Sequence, residues 1–414
     1  KQLLKYCTFS KLFLSSKKIR DTKSVQWIVD TKDFLFVYES GSPLIRFLED
    51  VNLTCSNKNG SFTIDQTEGE YQIFNNIWQG NGGVVNWERV ELSRDSIYAY
   101  LSDYNIDIRK SEFSADSVKF YNRSLFEDYI IGDFADKIIA GTSGSYYPVF
   151  KSYKKDIILS NILPDVDYMG GYTLRGNDFI ADGRKDASAR MIMRRNNKEI
   201  LVANAERFSI KDNIIYSASS AIRIYFDEDS IYHPSLQFTY DHNKRKLSLY
   251  RDNKAISGSP IYNSFHNVTI DAELLEWNID DDYIYIGSLP ATSKSSVYFE
   301  SIANYDDALY HSLKGIDRDN PLILIKRFLE GTNRKEFTAR EFARYTGYPE
   351  IQIQHYLINL ANKGFLFYDV ALHKAIVQTK LDNYVDARLK LKDYDVISFK
   401  SEVSNTSNSN MIIN

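Results

Sequence analysis

Proline and cysteine are scarce in this sequence, and no long apolar run interrupts it. Its 414 residues include 8 prolines and 2 cysteines. Scarce proline suits long strand ladders, because proline has no N–H to donate to a neighbouring strand. No stretch approaches the roughly 18 consecutive apolar residues that a membrane-spanning helix needs. We therefore predict a β-rich chain with no membrane span in this part of the protein.

The two cysteines, Cys7 and Cys55, lie far apart and have neither a CxxC neighbour nor a metal-ligand spacing. Two free thiols are the expected state, with a single disulfide between them as the alternative. Cysteine usage therefore does not define the compartment of the protein.

Motifs that would define an enzyme or a metal site are also lacking. The six histidines form no HxH, HExxH or cysteine-paired spacing, and no GxSxG sequence anchors a catalytic serine. The acidic runs at 227–229 and 280–282 lack the spaced carboxylates of a calcium loop. We expect no enzymatic activity, no cofactor, and no catalytic or metal-binding residues.

Net charge and aromatic content narrow the class of partner. The formal net charge is -4, so the chain as a whole is not an electrostatic nucleic-acid binder. The 30 tyrosines and 24 phenylalanines favour strands. An excess of tyrosine also predicts broad half-exposed faces, where a ring packs and its hydroxyl stays in water.

Strand patterns dominate the chain up to residue 300. Residues 1–50 are predicted to be an N-terminal strand segment, and 51–300 an irregular β-rich body of antiparallel or stacked, solenoid-like layers. A division of that body into two subdomains near 150–165 is one option. A small α+β winged-helix domain is predicted over 301–400, and a disordered tail over 401–414.

Two helix starts are clearly marked in the C-terminal part. Asn320 precedes Pro321, which is the order of an N-cap and a first helical residue. Thr338 and Glu341 have the spacing of a capping box, in which each side chain bonds the other residue's backbone N–H. The helix that begins there should end at Gly347.

A further helix should begin after Pro349 and end before Gly364. Its apolar stripe is formed by Ile353, Leu357 and Leu360, at spacings of four and three. The sequence FLFYDVALHKAIVQTK follows it and reads as a hairpin. This order of helices and hairpin resembles winged-helix-turn-helix domains over residues 320–380.

That resemblance does not by itself define a function. The outward positions of the candidate recognition helix, 350–363, begin with Glu350 and end with Lys363, so this face is neutral. Residues 321–400 hold thirteen Lys and Arg against nine Asp and Glu, a net of +4. Docking is the preferred use, and nucleic-acid binding is the alternative. Its candidate contacts are Lys326, Arg327, Arg334, Lys335, Arg340 and Arg344.

The stretch WQGNGGVVNWER, residues 78–89, has a glycine cluster between two tryptophans. It lacks the GK[ST] ending of a phosphate loop. A tight turn flanked by Trp78 and Trp87 is the preferred interpretation. Under the alternative, a carbohydrate-binding β domain would use Trp78, Trp87 or Trp277 as an aromatic platform.

Several stretches together, among them WQGNGGVVNWERVEL, DSIYHPSLQFTYDHNKRKLSLYRD and KGIDRDNPLILIKRFLEG, resemble one block of large uncharacterised β-rich proteins from Bacteroidota. The resemblance covers most of the chain. It implies a longer parent chain, a β-rich body and a cell-envelope or periplasmic setting. It brings no site residues with it.

These observations favour a non-enzymatic structural or protein-interaction module of a larger envelope-associated protein. Its partners would be other protein chains and the remainder of the parent chain. Nucleic-acid binding through the winged helix and carbohydrate binding by the β body are the alternatives.

Overall fold

The computed structural model describes residues 2–39, 41–140, 146–183, 188–251, 258–287, 296–313, 320–332, 334–369, 372–402 and 409–412. The chain is mainly β, with 53% strand and 18% helix. Its named strands pair antiparallel, which confirms the β-rich, antiparallel part of the predicted fold class.

The chain divides into two compact units. The first comprises Lys1–Leu159, Met169–Asp182 and Ser209–Lys211, and the second comprises the remaining residues. The two units are interleaved in sequence, with the first change of unit after Leu159. The helical C-terminal part belongs to the second unit and does not separate from its strands.

The first part of the chain contains one α-helix and sixteen strands in the described residues. They are α1 (Gln2–Ser16), β1 (Lys18–Asp21), β2 (Gln26–Asp30), β3 (Phe34–Glu39), β4 (Ser42–Phe47), β5 (Val51–Asn57), β6 (Gly60–Gln72), β7 (Ile77–Asn81), β8 (Val84–Asn86), β9 (Ile97–Tyr100), β10 (Asp103–Asp107), β11 (Glu112–Asn122), β12 (Ile130–Lys137), β13 (Val149–Ser152), β14 (Ile157–Leu163), β15 (Val166–Arg175) and β16 (Asp178–Asp182).

Helix α1 is a correction to the predicted N-terminal strand segment. Tyr6, Phe9 and Phe13 recur at helical spacing and place their rings on one side. Phe13 is fully buried and its ring centroid lies 4.9 Å from that of Phe34. The aromatic content that suggested strands therefore reflects helix-to-sheet packing at this end of the chain.

Strand β6 joins the sheets of the first unit. Its first half pairs with β5, and its second half pairs with β4 and β7. Gln66 takes a φ of 53° near the change of partner, where the register with β5 also shifts. Such a bulge bends a strand and lets its two halves enter different sheets. Further strands follow from β8 through β9, β11, β12 and β13.

The next part of the chain is again made of strands. They are β17 (Ala189–Arg195), β18 (Lys198–Ala205), β19 (Arg207–Lys211), β20 (Ile214–Phe226), β21 (Asp229–Asp241), β22 (Lys246–Tyr250), β23 (Ile261–Asn263), β24 (Val268–Asp271), β25 (Leu274–Asn278), β26 (Tyr283–Gly287) and β27 (Ser296–Ser301).

Strand β21 divides its pairing as β6 does. It forms a long hairpin with β20, while its start pairs with β23 and its end with β22. Pro234 lies between these two stretches, beside the register shift that separates Ser220 and Ile222 on β20. Proline is tolerated there because the ladder is already interrupted.

The C-terminal part contains the remaining helices and strands of the described chain. They are α2 (Asp307–Ser312), α3 (Pro321–Leu329), β28 (Glu336–Thr338), α4 (Ala339–Thr346), α5 (Glu350–Asn362), β29 (Leu366–Asp369), β30 (Lys374–Val377), α6 (Thr379–Arg388), β31 (Ser398–Glu402) and β32 (Ser409–Ile412). No helix in the described ranges is long and apolar enough to cross a membrane.

The predicted disordered tail, residues 401–414, contains paired strands. Strand β31 pairs with β27, and β32 pairs with β26. Polar Ser and Asn residues suggested disorder, but backbone hydrogen bonds to an existing strand do not depend on side-chain polarity. Residues 403–408 and 413–414 of this prediction lie outside the described ranges.

Candidate functional site

The C-terminal helices begin and end where the sequence marks them. The Asn320 side chain accepts a hydrogen bond from the N–H of Leu322 at 2.9 Å. Thr338 Oγ1 accepts from the N–H of Glu341 at 3.2 Å, and Glu341 accepts from the N–H of Thr338 at 2.7 Å. Gly347 ends α4 with a φ of 78°, which a glycine adopts without steric cost. The predicted capping box is confirmed.

Helix α5 and the following hairpin also match the sequence pattern. Ile353, Leu357 and Leu360 are buried, and β29 and β30 pair as predicted, with β28 added on the other side of β30. Helix α6 was missed from the sequence. Its signal is the spacing of Leu381, Tyr384 and Val385, which polar and acidic neighbours conceal.

This C-terminal segment packs directly on strands of its own unit. The ring of Phe367 on β29 lies 4.3 Å from that of Tyr232 on β21. A Cβ on Gly258 would come within 2.9 Å of Asn362 Oδ1, so the end of α5 lies against the chain before β23. One side of the helical segment is therefore covered by β structure.

A buried ion pair joins α6 to β27. Lys380 Nζ lies 2.6 Å from a Glu300 carboxylate oxygen, and the side chains are only 5% and 18% exposed. The same ammonium lies over the rings of Phe365 and Tyr384, at 5.4 and 5.7 Å from their centroids. These contacts compensate the loss of water around a buried cation.

Most of the six bases proposed as nucleic-acid contacts already have partners. Lys326 pairs with Asp386 at 2.6 Å, Arg334 with Glu341 at 3.3 Å and Arg340 with Glu350 at 3.3 Å. Arg327 is exposed but also interacts with another group. Lys335 and Arg344 are exposed, and neither forms an ion pair with a described side chain.

The exposed face of α5 is neutral and partly apolar. Gln352, His355 and Asn359 are exposed, and Ile351 is 59% exposed. A DNA-recognition helix usually presents lysine, arginine or amide side chains to the edges of the nucleobases, with further basic side chains nearby to contact phosphates. Here the amides are present, but the helix itself adds no lysine or arginine.

An open groove lies between α3, the turn after it and α6. Its volume is about 580 Å³. We call it the α3–α6 groove. It is lined by Ile323, Ile325, Lys326, Arg327, Leu329, Glu330, Gly331, Thr332, Arg334, Lys335, Val377, Leu381, Asp382, Val385, Asp386, Leu389 and Leu391. Four of the six predicted bases thus come together at one apolar groove, while Arg340 and Arg344 do not line it.

The three tryptophans proposed as a sugar platform are core residues. Trp78 and Trp87 are fully buried, and Trp277 is 2% exposed. Gly82 and Gly83 form the predicted turn, with φ values of 67° and 104°. Because a sugar can stack only on an accessible ring face, the carbohydrate hypothesis has no platform at these positions.

Tyrosines do form an exposed cluster on the first unit, as the composition suggested. Tyr98 and Tyr121 are cross-strand neighbours, with stacked rings 4.9 Å apart. The ring centroids of Tyr100 and Tyr129 lie 5.7 and 5.8 Å from that of Tyr121. Only the Tyr98–Tyr121 pair is stacked, while Tyr100 meets Tyr121 edge-on, and such cross-strand aromatic contacts stabilise the sheet.

The buried ionisable groups of the first unit include a paired carboxylate and a free thiol. Asp136 pairs with Arg89, and burial raises the pKa of Asp136 to about 6 despite that cation. Cys55 is a buried free thiol, and burial raises its pKa to about 12. Cys7 is exposed and also free, so the disulfide alternative is not realised.

His233 is a deeply buried titratable base in the strands of the second unit. Its Nε2 lies 2.9 Å from the Ser259 carbonyl oxygen, and its Nδ1 accepts from the N–H of Ser235 at 3.0 Å. Burial, with the Arg251 guanidinium nearby, lowers the pKa of His233 to about 3. The ring is neutral at physiological pH and bridges the backbone groups of Ser235 and Ser259 through its two nitrogens.

Within the described ranges, no group of three or more His, Cys, Asp or Glu side chains is placed to hold a metal ion. No protein-family model, curated protein sequence or solved structure matches the chain. The α3–α6 groove holds four of the six predicted bases, and α5 exposes Ile351, so the functional proposal is built on these two surfaces.

Proposed function

We propose that this chain is a non-enzymatic protein-interaction module, in which a winged-helix-like C-terminal segment docks onto protein surfaces. The order α3, β28, α4, α5, β29, β30 supports the winged-helix comparison. One side of this segment already packs on β strands through Phe367 and the Lys380–Glu300 pair. One side of the C-terminal segment thus contacts strands of its own unit, and we infer that the opposite side contacts another protein surface.

The observation that carries the proposal is that half of the lysines and arginines named as nucleic-acid contacts are already in ion pairs. Three of the six candidate contacts are paired with acids of the same segment. Helix α5 also exposes the apolar side chain of Ile351, where a DNA-binding helix would present a lysine or arginine. Phosphate binding draws its free energy from uncompensated cations that release counterions. Exposed apolar surface instead favours a protein partner.

Nucleic-acid binding is the second candidate, supported by Lys335 and Arg344 and by the local excess of base. The test is binding of the full chain to a mixed double-stranded DNA pool at about 50 and about 200 mM salt, because phosphate-driven binding falls steeply over that range. We expect no DNA binding at either salt concentration.

A charge-reversal pair makes the DNA test specific. The variant Lys335→Glu/Arg344→Glu removes the two bases without an ion pair, and Lys58→Glu/Lys154→Glu is the matched control on the first unit, where both lysines are exposed. DNA binding that is lost in the first variant and kept in the second would replace docking with nucleic-acid recognition as the function.

We further propose an envelope-associated setting within a longer protein, on the strength of the resemblance to Bacteroidota proteins. Cell fractionation with an antibody raised against this chain tests both points. Recovery in the envelope fraction at a mass above 47.9 kDa is the expected result. Recovery in the cytosolic fraction would contradict the setting.

A further inference from the structure

We propose that the α3–α6 groove binds a short amphipathic polypeptide segment that carries carboxylates beside its apolar side chains. This inference rests on the proposed docking function and names the partner's chemistry. It follows from three features of the groove: an apolar floor, a wall on which bases outnumber acids, and exposed leucines at its mouth.

The floor of the groove is formed by side chains that also build the core of the segment. Leu381 and Val385 of α6 and Ile325 of α3 are buried beneath it. A floor of this kind cannot satisfy phosphates or sugar hydroxyls, which need polar partners. A volume of about 580 Å³ lies within the roughly 300–1,000 Å³ of ligand sites, which suits the side chains of one segment.

The two acids on the α6 wall, Asp382 and Asp386, share one cation. Lys326 Nζ lies 2.6 Å from an Asp386 oxygen and 3.9 Å from an Asp382 oxygen. An incoming cation would therefore compete with Lys326 for these carboxylates. One cation against two carboxylates leaves this wall with one net negative charge, so the excess of base in the groove lies on the opposite wall.

The opposite wall, 327–335, carries Arg327, Arg334 and Lys335 against a single acid, Glu330. Lys335 is exposed and forms no ion pair with a described side chain. Arg334 pairs with Glu341, and the side chains are 54% and 39% exposed. Arg334 is therefore compensated by Glu341, and Lys335 provides the positive charge of this wall that has no acidic partner among the described side chains. Carboxylates on an occupant would complement this wall.

The mouth of the groove repeats the combination of apolar and basic groups. Leu389 and Leu391 line it and are 54% and 73% exposed, with Lys390 between them. Two exposed leucines at one concave site mark a contact surface more strongly than scattered ones. The acidic amphipathic segment fits this mouth as it fits the wall.

The experiment is selection of a random 12-residue phage-displayed peptide library on the full chain, followed by fluorescence anisotropy with labelled synthetic copies of the enriched peptides. We expect enriched peptides to combine Asp or Glu with two or three large apolar residues. Their binding should weaken at least about tenfold in Leu389→Asp/Leu391→Asp, the scale of loss at an interface anchor.

Matched variants separate the groove from the rest of the surface. Leu35 and Ile158 on the first unit are 52% and 72% exposed, so Leu35→Asp/Ile158→Asp is the apolar control and should bind like wild type. Arg334→Glu/Lys335→Glu should weaken the same peptides, and added salt should reduce the difference. All these positions are exposed, so the variants should fold.

The outcomes separate this inference from the function on which it rests. Enriched peptides that bind equally to wild type and Leu389→Asp/Leu391→Asp would overturn the groove assignment and leave the docking function standing. Peptides rich in Lys and Arg would overturn the acidic partner. No enrichment over bare resin would count against both proposals. Salt-dependent DNA binding in the earlier test would replace the polypeptide with nucleic acid.

Discussion

At the scale of single residues, buried groups determine how the stability of this chain responds to low pH and to larger side chains in the core. His233 is neutral in the fold because burial lowers its pKa from an ordinary 6.5 to about 3. The unfolded chain therefore binds a proton between pH 6.5 and 3 that the folded chain does not. Stability from this group is fully present above pH 6.5 and is lost as pH falls through that window.

We expect the second unit to lose about 2–3 kcal/mol of stability between pH 7 and pH 4.5 through His233, from the pKa difference across that interval. His233→Gln should be less stable at pH 7 and should lack this part of the acid sensitivity. Native-state hydrogen exchange of β20 and β21 measures it, with β5 and β6 of the first unit as the control within each sample. An equal loss in wild type and variant would contradict the assignment.

Gly80 is required for space beneath two buried rings. A Cβ at this position would lie 2.3 Å from Tyr104 Cζ and 2.7 Å from Trp78 Nε1. The Tyr104 hydroxyl is also fixed by a 2.6 Å hydrogen bond to Thr67. We expect Gly80→Ala to lower the free energy of unfolding by about 1–3 kcal/mol, the range for overpacked cores.

Gly82→Asn is the control for Gly80→Ala. Gly82 has a φ of 67°, which asparagine tolerates, and a Cβ added there would meet no heavy atom within 4 Å. Urea denaturation followed by tryptophan fluorescence compares the two, because Trp78 lies at the site. Equal stability of the two variants would show that the rings move aside at little cost.

At the scale of elements, helix caps and the β29–β30 hairpin could be predicted from the sequence, and pairing between strands distant in the chain could not. Helix α4 follows from Thr338, Glu341 and Gly347 alone, because capping and termination depend on neighbours in sequence. The turn between Trp78 and Trp87 follows from its glycines in the same way. These signals act over a few residues and need no tertiary contact.

The elements that were missed depend on partners far away in the chain. Helix α1 is held by rings of β3 and β4, and β32 by the edge of β26. The candidate site divides similarly: the bases of 326–335 were named from sequence, but their ion pairs and the groove under them need the fold. The predicted aromatic platform of Trp78, Trp87 and Trp277 was wrong because these rings are buried. Their burial depends on how the sheets pack, and the identity of a residue does not reveal that packing.

The capping box supplies a prediction at this scale. Thr338→Ala should destabilise α4 by about 1 kcal/mol, because the Glu341 N–H loses its acceptor and the Glu341 carboxylate loses the hydroxyl that donates to it. Thr338→Ser should restore most of it. Thr346→Ala at the other end of α4 removes a hydroxyl that bonds the Phe342 carbonyl at 2.9 Å and should have a smaller effect. Hydrogen exchange of α4 amides reports the order, and a larger effect at Thr346 would contradict it.

At the scale of the whole molecule, each unit is organised around a long strand that changes partners. Strand β6 does this in the first unit and β21 in the second, each with 13 residues and a register shift. Such a strand couples the sheets on its two halves, because its backbone hydrogen bonds serve both. Tyr232 on β21 also contacts Phe367 of the C-terminal segment. We therefore infer that strands and helices of the second unit unfold together.

The Lys380–Glu300 pair tests that cooperativity. Lys380→Met leaves the Glu300 carboxylate, 18% exposed, without its cation. Breaking a buried pair in this way costs about 3–5 kcal/mol. The double variant Lys380→Met/Glu300→Gln removes both charges and should recover part of the loss. If the unit is cooperative, hydrogen exchange should accelerate in β24 and β27 as much as in α5 and α6. Acceleration confined to the helices would instead make residues 301–400 an independently folding domain, as the sequence alone had suggested.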